Sequence, residues 1–214
     1  MKTILILTAV EAEREAVLRG LGEDSRFKVA AAGVGAAAVA AYTGARLALP
    51  HHYELVIVAG IAGGFTDRAA IGTLVVADRI IAADLGAASP DGFLSLDELG
   101  FGSSSAAADT GRSSQLAAAL HEAGLTVVLG PVLTVSTVTG TAEGAAELKR
   151  RVPDAAAEAM EGYGIAIAAR NAGLPVIELR AISNQVGPRD REAWRIKEAL
   201  SALTAASSIL REVI

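Results

Sequence analysis

The sequence predicts a three-layer α/β fold, in which a mostly parallel central sheet is flanked by helices on both faces. Two observations predict it: short runs rich in β-branched residues that are apolar without alternation, and segments with helical periodicity between them. Strands that are apolar on both faces are typical of parallel sheets covered by helices on each side. The 214 residues are 52% hydrophobic, which fits a single domain, 1–214, with one large core.

The predicted strands are short apolar runs bounded by Gly or Pro. They are Thr3–Leu7, Lys28–Ala32, Leu55–Ala59, Leu74–Ile81, Thr126–Val128, Val132–Val135 and Val176–Ile182. The predicted helices carry apolar residues at a spacing of three or four. They are Glu11–Gly20, Ala36–Ala48, Ser113–Ala123, Thr141–Arg150, Glu161–Ala172 and Asp190–Ile214.

The segment Asp84–Gly111 is rich in Gly, Ser and Asp and has low periodicity. We expect a long surface excursion beside the sheet. Segments of this kind often act as lids or subunit contacts.

Composition excludes several classes of function. A net charge of −5 with no basic run argues against nucleic acid and anionic lipid as partners. The chain has no cysteine, and His51, His52 and His121 lack zinc-site spacing, so we expect neither metal nor cofactor. The first apolar run is too short for a signal peptide or membrane span, which predicts a cytoplasmic protein. A small-molecule ligand is therefore expected.

The glycine turn Gly33–Ala38 follows a predicted strand, opens a helix and formally matches the dinucleotide fingerprint G-x-G-x-x-G/A. That fingerprint expects an acid at the end of the next strand. Glu54 has the right separation but precedes the predicted strand Leu55–Ala59, which argues against NAD. Two readings remain open: the glycines only let the strand turn sharply, or their N–H groups line a small-ligand pocket.

A second glycine-rich segment, Gly60–Phe65, leaves the carboxyl end of an apolar strand, where open α/β sheets bind ligands. Neither glycine segment contains the Gly-Lys-Ser/Thr of a P-loop, which argues against nucleoside triphosphates. Polar residues also bunch in Leu179–Arg191, at the end of the last predicted strand. We expect a shared crevice in which Ala62, Gly63 and Ser183 contact the substrate.

Two groups of carboxylates begin predicted helices. Glu11, Glu13 and Glu15 lie in the first turn after the first strand, where the helix dipole favours negative charge. Glu161 precedes a helix rich in small residues. Each carboxylate, taken singly, is explained at least as well as an acid exposed to solvent at the start of a helix. A carboxylate at the mouth of the sheet also suits a general base for water.

The order and spacing of TAVEAERE, GVGAAAVA, VAGIAGGF, EAMEG and ELRAISN resemble the purine nucleoside phosphorylase and nucleosidase superfamily over nearly the whole chain. The resemblance implies cleavage of a nucleoside N-glycosidic bond by a homo-oligomer. It places the water-activating glutamate of methylthioadenosine/adenosylhomocysteine nucleosidases on Glu13, which favours hydrolysis. It also places a ribose-binding Met-Glu pair on Met160 and Glu161, whose carboxylate can accept bonds from both ribose hydroxyls.

The main departure is Asn184, because adenine-specific nucleosidases have an aspartic acid there. Asparagine can donate to a 6-oxo group and accept from a protonated N7, so it suits hypoxanthine as the leaving base. The loop from Asn184 onward resembles the futalosine hydrolase branch of the superfamily, which serves menaquinone synthesis. Futalosine carries a benzoate on its 5′ side, for which Arg189, Arg191 and Arg195 are candidate partners.

The expected function is therefore hydrolysis of futalosine to hypoxanthine and dehypoxanthine futalosine. Three rivals remain open. They are a methylthioadenosine/adenosylhomocysteine nucleosidase that tolerates Asn184, a phosphorylase, and a catalytically idle nucleoside- or NAD-binding module. The first-turn Glu13 and the lack of an arginine in Gly33–Ala38 count against the phosphorylase.

Overall fold

A mixed eight-stranded sheet organises the fold, and the structure, a computed structural model, describes residues 3–214. The strands are β1 Thr3–Thr8, β2 Phe27–Ala31, β3 Tyr53–Gly64, β4 Leu74–Ala82, β5 Gly86–Ser89, β6 Gly92–Ser95, β7 Ser105–Ala107, β8 Val127–Thr134, β9 Ala157–Ala159 and β10 Val176–Gln185. The helices are α1 Glu11–Leu21, α2 Ala36–Ala48, α3 Thr110–Glu122, α4 Ala142–Arg151, α5 Gly162–Asn171 and α6 Ile196–Val213. The predicted α/β class is confirmed.

The sheet has two packed faces because successive side chains of a strand point to opposite sides. On β1, Leu5 belongs to a core formed with α2 and α5. Its neighbour Ile6 belongs to a second core, formed with α1, α3 and α6. Both residues are at most 1% exposed. Burial on both faces explains the apolar strands without alternation, as the sequence predicted.

Part of the sheet closes into a ring of paired strands. Parallel pairs join β2 to β1, β1 to β3, β3 to β10, β4 to β8 and β8 to β9. Antiparallel pairs join β10 to β4, β3 to β9 and β4 to β7. The strands β10, β4, β8, β9 and β3 therefore form a ring, and β1 and β2 extend the sheet from β3.

Strand β3 is longer than predicted and corrects two interpretations. It runs from Tyr53 to Gly64, so Gly60–Phe65 is not a turn after the strand but mostly its carboxyl-terminal half. Glycine usually weakens a strand interior unless another group approaches closely, and that is the case at Gly60 (below). Glu54 lies inside the strand, not before it. It is still at the amino end, so the argument against NAD is unchanged.

Other boundaries also differ from the predictions. The two runs predicted around Gly130 form one strand, β8. Helix α6 begins at Ile196 and not at Asp190, because the Arg195 amide donates to the Ser183 carbonyl over 2.8 Å and folds the intervening loop across the end of β10.

The predicted excursion Asp84–Gly111 has more structure than its composition indicates. It contains the hairpin β5–β6, while β7 adds to the central sheet beside β4 and α3 begins at Thr110. The Tyr163 hydroxyl donates to the Ser103 carbonyl over 2.6 Å, which ties the segment to α5. In the described part of the chain no helix is long and apolar enough to cross a membrane.

Candidate active site

The predicted site residues meet in one cavity of about 410 Å³ at the carboxyl ends of β1, β3 and β10. Its lining includes the residues expected to act on the substrate or to bind its base and ribose, and one of the three candidate arginines: Glu13, Ala62, Gly63, Met160, Glu161, Ser183, Asn184 and Arg189. The rest of the lining is Ala9, Val10, Val34, Ile61, Val138, Thr139, Glu158, Ala159, Gln185, Gly187, Pro188 and Trp194. The structure thus brings together segments from across the chain.

Only one of the first-turn glutamates faces this cavity. Glu13 is 3% exposed, whereas Glu11 and Glu15 are exposed to solvent. Glu13 Oε2 accepts from the backbone N–H groups of Ala9 (2.9 Å) and Val10 (3.2 Å). Because Val10 is the N-cap of α1, this is the backward half of a capping box. The bonds hold the carboxylate at the start of the helix, pointing inward.

The other oxygen of Glu13 is held by β3. Leu7 is the last residue of β1 that pairs with β3, and its partner is Val58. Strand β3 continues beyond Val58. Past that point the Ile61 N–H donates to Glu13 Oε1 over 2.8 Å. A Cβ on Gly60 would lie 2.6 Å from Glu13 Oε1 and 2.8 Å from Arg180 Nη1. The glycine in the strand therefore makes room for both charged groups.

Glu161 is held by the first glycine segment. Its Oε1 accepts from the Gly35 N–H over 3.3 Å, and its Oε2 accepts from the Met160 N–H over 3.2 Å. The φ angles of Gly33 and Gly35, +101° and +91°, favour glycine and turn the chain toward Glu161. The segment is thus a sharp strand-to-helix turn, and one of its N–H groups supports a cavity-lining carboxylate.

A buried ion pair lies behind the two carboxylates. Arg180 and Glu178 are 1% and 0% exposed, and Arg180 Nε donates to Glu178 Oε1 over 2.8 Å. Arg180 Nη2 lies 3.3 Å from Glu161 Oε2. A Cβ on Gly162 would come within 2.3 Å of Glu178 Oε2, so this glycine leaves the space that Glu178 occupies. One guanidinium group therefore links the surroundings of Glu13 and Glu161.

Burial and neighbouring charges shift the pKa values of Arg180 and Glu178. Burial opposes the charge on Arg180, but the carboxylates of Glu178, Glu161 and Glu13 outweigh it and raise the arginine pKa above its usual value. Burial raises the pKa of Glu178, while the charge of Arg180 opposes that rise. Glu13 and Glu161 line the cavity, and Arg180 lies behind them, so acidic groups predominate on its inner wall.

At the end of β10, Ser183 and Asn184 form a small polar network. Ser183 Oγ lies 2.9 Å from Asn184 Oδ1 and 3.3 Å from the Ala62 carbonyl, and Asn184 Nδ2 donates to the Gln185 carbonyl over 3.0 Å. The amide keeps one free N–H and one free lone pair. A Cβ on Gly63 would lie 3.3 Å from Asn184 Nδ2, so the glycine leaves the amide accessible.

The three arginines proposed for a benzoate are not equivalent. Arg189 lines the cavity together with Trp194, and its guanidinium lies 5.3 Å from the centre of the Trp194 ring. Arg191 also approaches this ring, at 5.9 Å, but is not among the lining residues. Arg195 donates instead to the Glu192 carbonyl over 3.0 Å. Of the three candidates only Arg189 lines the cavity, and its contact with a benzoate stays a prediction.

Sequence reasoning missed two groups of polar residues. Glu158 and Thr139 line the cavity from β9 and the loop before α4; Glu158 begins the EAMEG motif, in which only Met160 and Glu161 were given a role. Glu178 and Arg180 could have been found from the sequence. They are opposite charges two residues apart in an otherwise apolar strand, so their side chains lie on the same face. Within residues 3–214 no group of three or more His, Cys, Asp or Glu side chains could hold a metal ion.

Comparison with known proteins defines the class first. A model of the phosphorylase superfamily matches residues 10–214, and the chain belongs to that superfamily. The fold is shared with the 5′-methylthioadenosine/S-adenosylhomocysteine nucleosidase of Neisseria meningitidis, with a TM-score of 0.82, 21% identity and coverage of 99% of this chain and 100% of that one.

Sequence relatives then narrow the class. The futalosine hydrolase of Streptomyces coelicolor is 49% identical over 99% of this chain and 96% of its own length. That of Acidothermus cellulolyticus is also 49% identical, over 96% of this chain and 89% of its own length. Within the superfamily, the chain belongs to the futalosine hydrolase family.

Proposed function

We propose that this protein hydrolyses the N-glycosidic bond of futalosine and releases hypoxanthine and dehypoxanthine futalosine, a reaction of menaquinone synthesis. The observation that carries the proposal is the meeting of Glu13, Glu161 and Asn184 in one cavity of a futalosine hydrolase relative. An acid, a ribose-binding carboxylate and an amide able to pair with a 6-oxopurine are the groups that this reaction requires.

The proposed mechanism assigns one task to each group. Glu13, fixed by three backbone N–H groups, removes a proton from water. Glu161 accepts bonds from the ribose hydroxyls, and the negative wall stabilises the positive charge that develops on the sugar. As the water oxygen bonds to C1′ and the bond from C1′ to N9 breaks, solvent protonates N7 of the leaving base, and the proton held by Glu13 returns to solvent. Asn184 accepts from that N7–H and donates to the 6-oxo group. Met160, Ala62, Gly63 and Ser183 shape the pocket, and Arg189 faces the 5′ substituent.

The acidic wall also separates hydrolysis from phosphorolysis. Phosphate is an anion, and Glu13 and Glu161 occupy the inner end of the cavity with only Arg180 to offset them. Repulsion between these acids and phosphate opposes its entry. Water carries no such penalty.

Purified protein incubated with futalosine and, separately, with methylthioadenosine tests the proposal, each with and without phosphate. We expect hypoxanthine from futalosine at a rate independent of phosphate. Faster release of adenine from methylthioadenosine would favour the nucleosidase rival. A phosphate requirement would favour the phosphorylase, and tight binding without a released base would favour an idle module.

A cytoplasmic location and a homo-oligomeric state stay predictions. Sedimentation at several protein concentrations measures the oligomeric state directly.

A further inference from the structure

Glu178 is a buried acid to which the proposed mechanism assigns no task. It lies on β10, is 0% exposed and is not among the residues that line the cavity. A carboxylate that loses its hydration is costly to keep charged, even when it is paired. The fold nevertheless leaves space for it, since a Cβ on Gly162 would lie 2.3–2.6 Å from the three atoms of its carboxyl group. A costly group in a space left by a neighbouring glycine indicates a role.

The contacts of Arg180 show what Glu178 holds. Arg180 Nε donates to Glu178 Oε1 over 2.8 Å, whereas Nη1 reaches the Ile61 carbonyl only at 3.4 Å. Within residues 3–214 the buried Nη2 has no hydrogen-bond acceptor, although Glu161 Oε2 lies 3.3 Å away. The guanidinium is therefore held from the Glu178 side, and its contact with Glu161 is an ion pair without a hydrogen bond.

This arrangement leaves the two cavity-lining acids able to act. A guanidinium turned toward Glu161 could form a bidentate pair and occupy the lone pairs that the ribose hydroxyls need. Arg180 Nη1 also lies beside Glu13, because a Cβ on Gly60 would come within 2.8 Å of both groups. An arginine paired with Glu13 would make that carboxylate a weaker base. Glu178 competes with both acids for one guanidinium.

Glu178 also affects the charge that faces the sugar. The other charged groups acting on Glu178 and Arg180 are Glu161, from the turn before α5, and Glu13, from α1. When Glu178 is ionised it offsets Arg180, and the charges of the two lining acids remain uncompensated. Positive charge develops on the sugar as the glycosidic bond breaks, so an uncompensated negative charge stabilises the transition state more than the bound substrate.

We propose that Glu178 is a positioning residue, which retains the Arg180 guanidinium and so keeps the charges of Glu13 and Glu161 available to the reaction. The inference rests on the proposed function, because it concerns the same bond cleavage. Without the charge of Glu178, Arg180 acts more strongly on the two lining acids. Hydrolysis should then be slower at neutral pH but should persist to lower pH, a combination that a purely structural role does not produce.

Glu178→Gln tests this, because it keeps the shape and an acceptor for Arg180 Nε while removing the charge. We expect kcat for futalosine to fall about tenfold, and the acidic midpoint of the kcat/KM profile to move about one pH unit lower. Glu122→Gln, an exposed acid at the end of α3, is the matched control and should change neither. A midpoint that does not move in Glu178→Gln would overturn the inference, with or without a fall in kcat.

A double variant keeps the test valid if Glu178→Gln does not fold. In Gly162→Ala combined with Glu178→Ala, the methyl group added at 162 occupies the space that the carboxyl group leaves. The same charge is removed, so we expect the same two changes. Thermal midpoints show which variants are folded. A folded double variant with the wild-type pH profile would contradict the proposed role.

Binding of sugar analogues separates this inference from the proposed reaction. Calorimetry compares iminoribitol, a protonated pyrrolidine that carries the ribose hydroxyls, with anhydroribitol, its neutral oxygen analogue. We expect the wild type to prefer the cation and Glu178→Gln to reduce that preference about tenfold. If futalosine is not hydrolysed but the preference depends on Glu178, the proposed function fails and the inference stands. If futalosine is hydrolysed and both proteins show the same preference, the inference fails alone.

Discussion

The two ends of the cavity are built from different kinds of residue. We call Glu13, Glu161, Glu178 and Arg180 the inner cluster; all four are at most 5% exposed and are held by backbone N–H groups or by one another. We call Val10, Val34, Val138, Arg189 and Trp194 the outer rim. There Val34 is 53% exposed and Val138 40%.

The difference separates side chains that are held in place by the fold from side chains that can be replaced without disturbing it. Groups of the inner cluster occupy their positions before a substrate arrives, so reorganisation costs little during the reaction. The outer rim contacts solvent, and its side chains can change without opening the core. We therefore expect the bond cleaved to depend on the inner cluster and the 5′ substituent accepted to depend on the rim.

Glu13→Gln tests the inner cluster most strongly. Loss of a general base should lower kcat about 10²- to 10⁴-fold with a smaller change in KM. Because both oxygens of Glu13 accept backbone N–H groups, the amide nitrogen must also face a donor, which should cost about 1–3 kcal/mol of unfolding free energy. Glu15→Gln, on the exposed side of α1, is the control. Turnover at the wild-type rate in Glu13→Gln would refute its assignment.

Two arginine substitutions test whether the inner cluster contributes more to the free energy of unfolding than the outer rim does. Arg180→Leu leaves Glu178 and Glu161 buried without their cation and should cost about 3–5 kcal/mol. Arg189→Leu, on the exposed rim, should change the free energy of unfolding by no more than about 0.5 kcal/mol. Urea titrations measure both. Equal losses in the two variants would contradict the division.

Two glycine substitutions test whether the inner cluster depends on missing side chains. Gly162→Ala places a Cβ 2.3 Å from Glu178 Oε2 and should cost about 1–3 kcal/mol through overpacking. Gly44→Ala, in helix α2, meets nothing within 4 Å and should stabilise the protein by about 0.4–1 kcal/mol. Thermal melts of the two variants should therefore shift in opposite directions.

Substrate kinetics of Arg189→Leu test the rim. Since an exposed ion pair contributes up to about 1 kcal/mol, KM for futalosine should rise about two- to fivefold while kcat is retained. Inosine lacks the benzoate, so its KM should not change. Equal effects on both substrates would indicate that Arg189 does not contact the carboxylate.

Chelation should have the smallest effect. No residue of the inner cluster is assigned to a metal, and the mechanism above uses none. Dialysis against EDTA is expected to leave the rate of base release unchanged. A loss of activity that zinc or magnesium restores would require a different mechanism.

The motifs that carry the family resemblance predicted which side chains would meet in this cavity. Glu13, Glu161 and Asn184 stand beside strand ends or helix starts, where short-range patterns are informative. Glu158 belongs to the EAMEG motif, but its place in the cavity depends on the pairing of β9 with β3 and β8, and β9 was not among the predicted strands. The fold was predicted from the apolar strands, but the full length of β3 was not. Glycine commonly ends a strand, whereas Gly60 lies inside β3 because Glu13 and Arg180 occupy the space that a side chain would need.

The bond from the Ile61 amide to Glu13 has a consequence for how this family can change over time. Catalytic groups commonly reduce stability, so a protein that loses its function often gains by replacing them. Here the proposed base also satisfies backbone amides of Ala9, Val10 and Ile61 that would otherwise lose an acceptor. Selection for folded protein alone would retain Glu13. A copy of this gene released from its metabolic role should therefore keep the acid of its active site longer than the arginine at its rim.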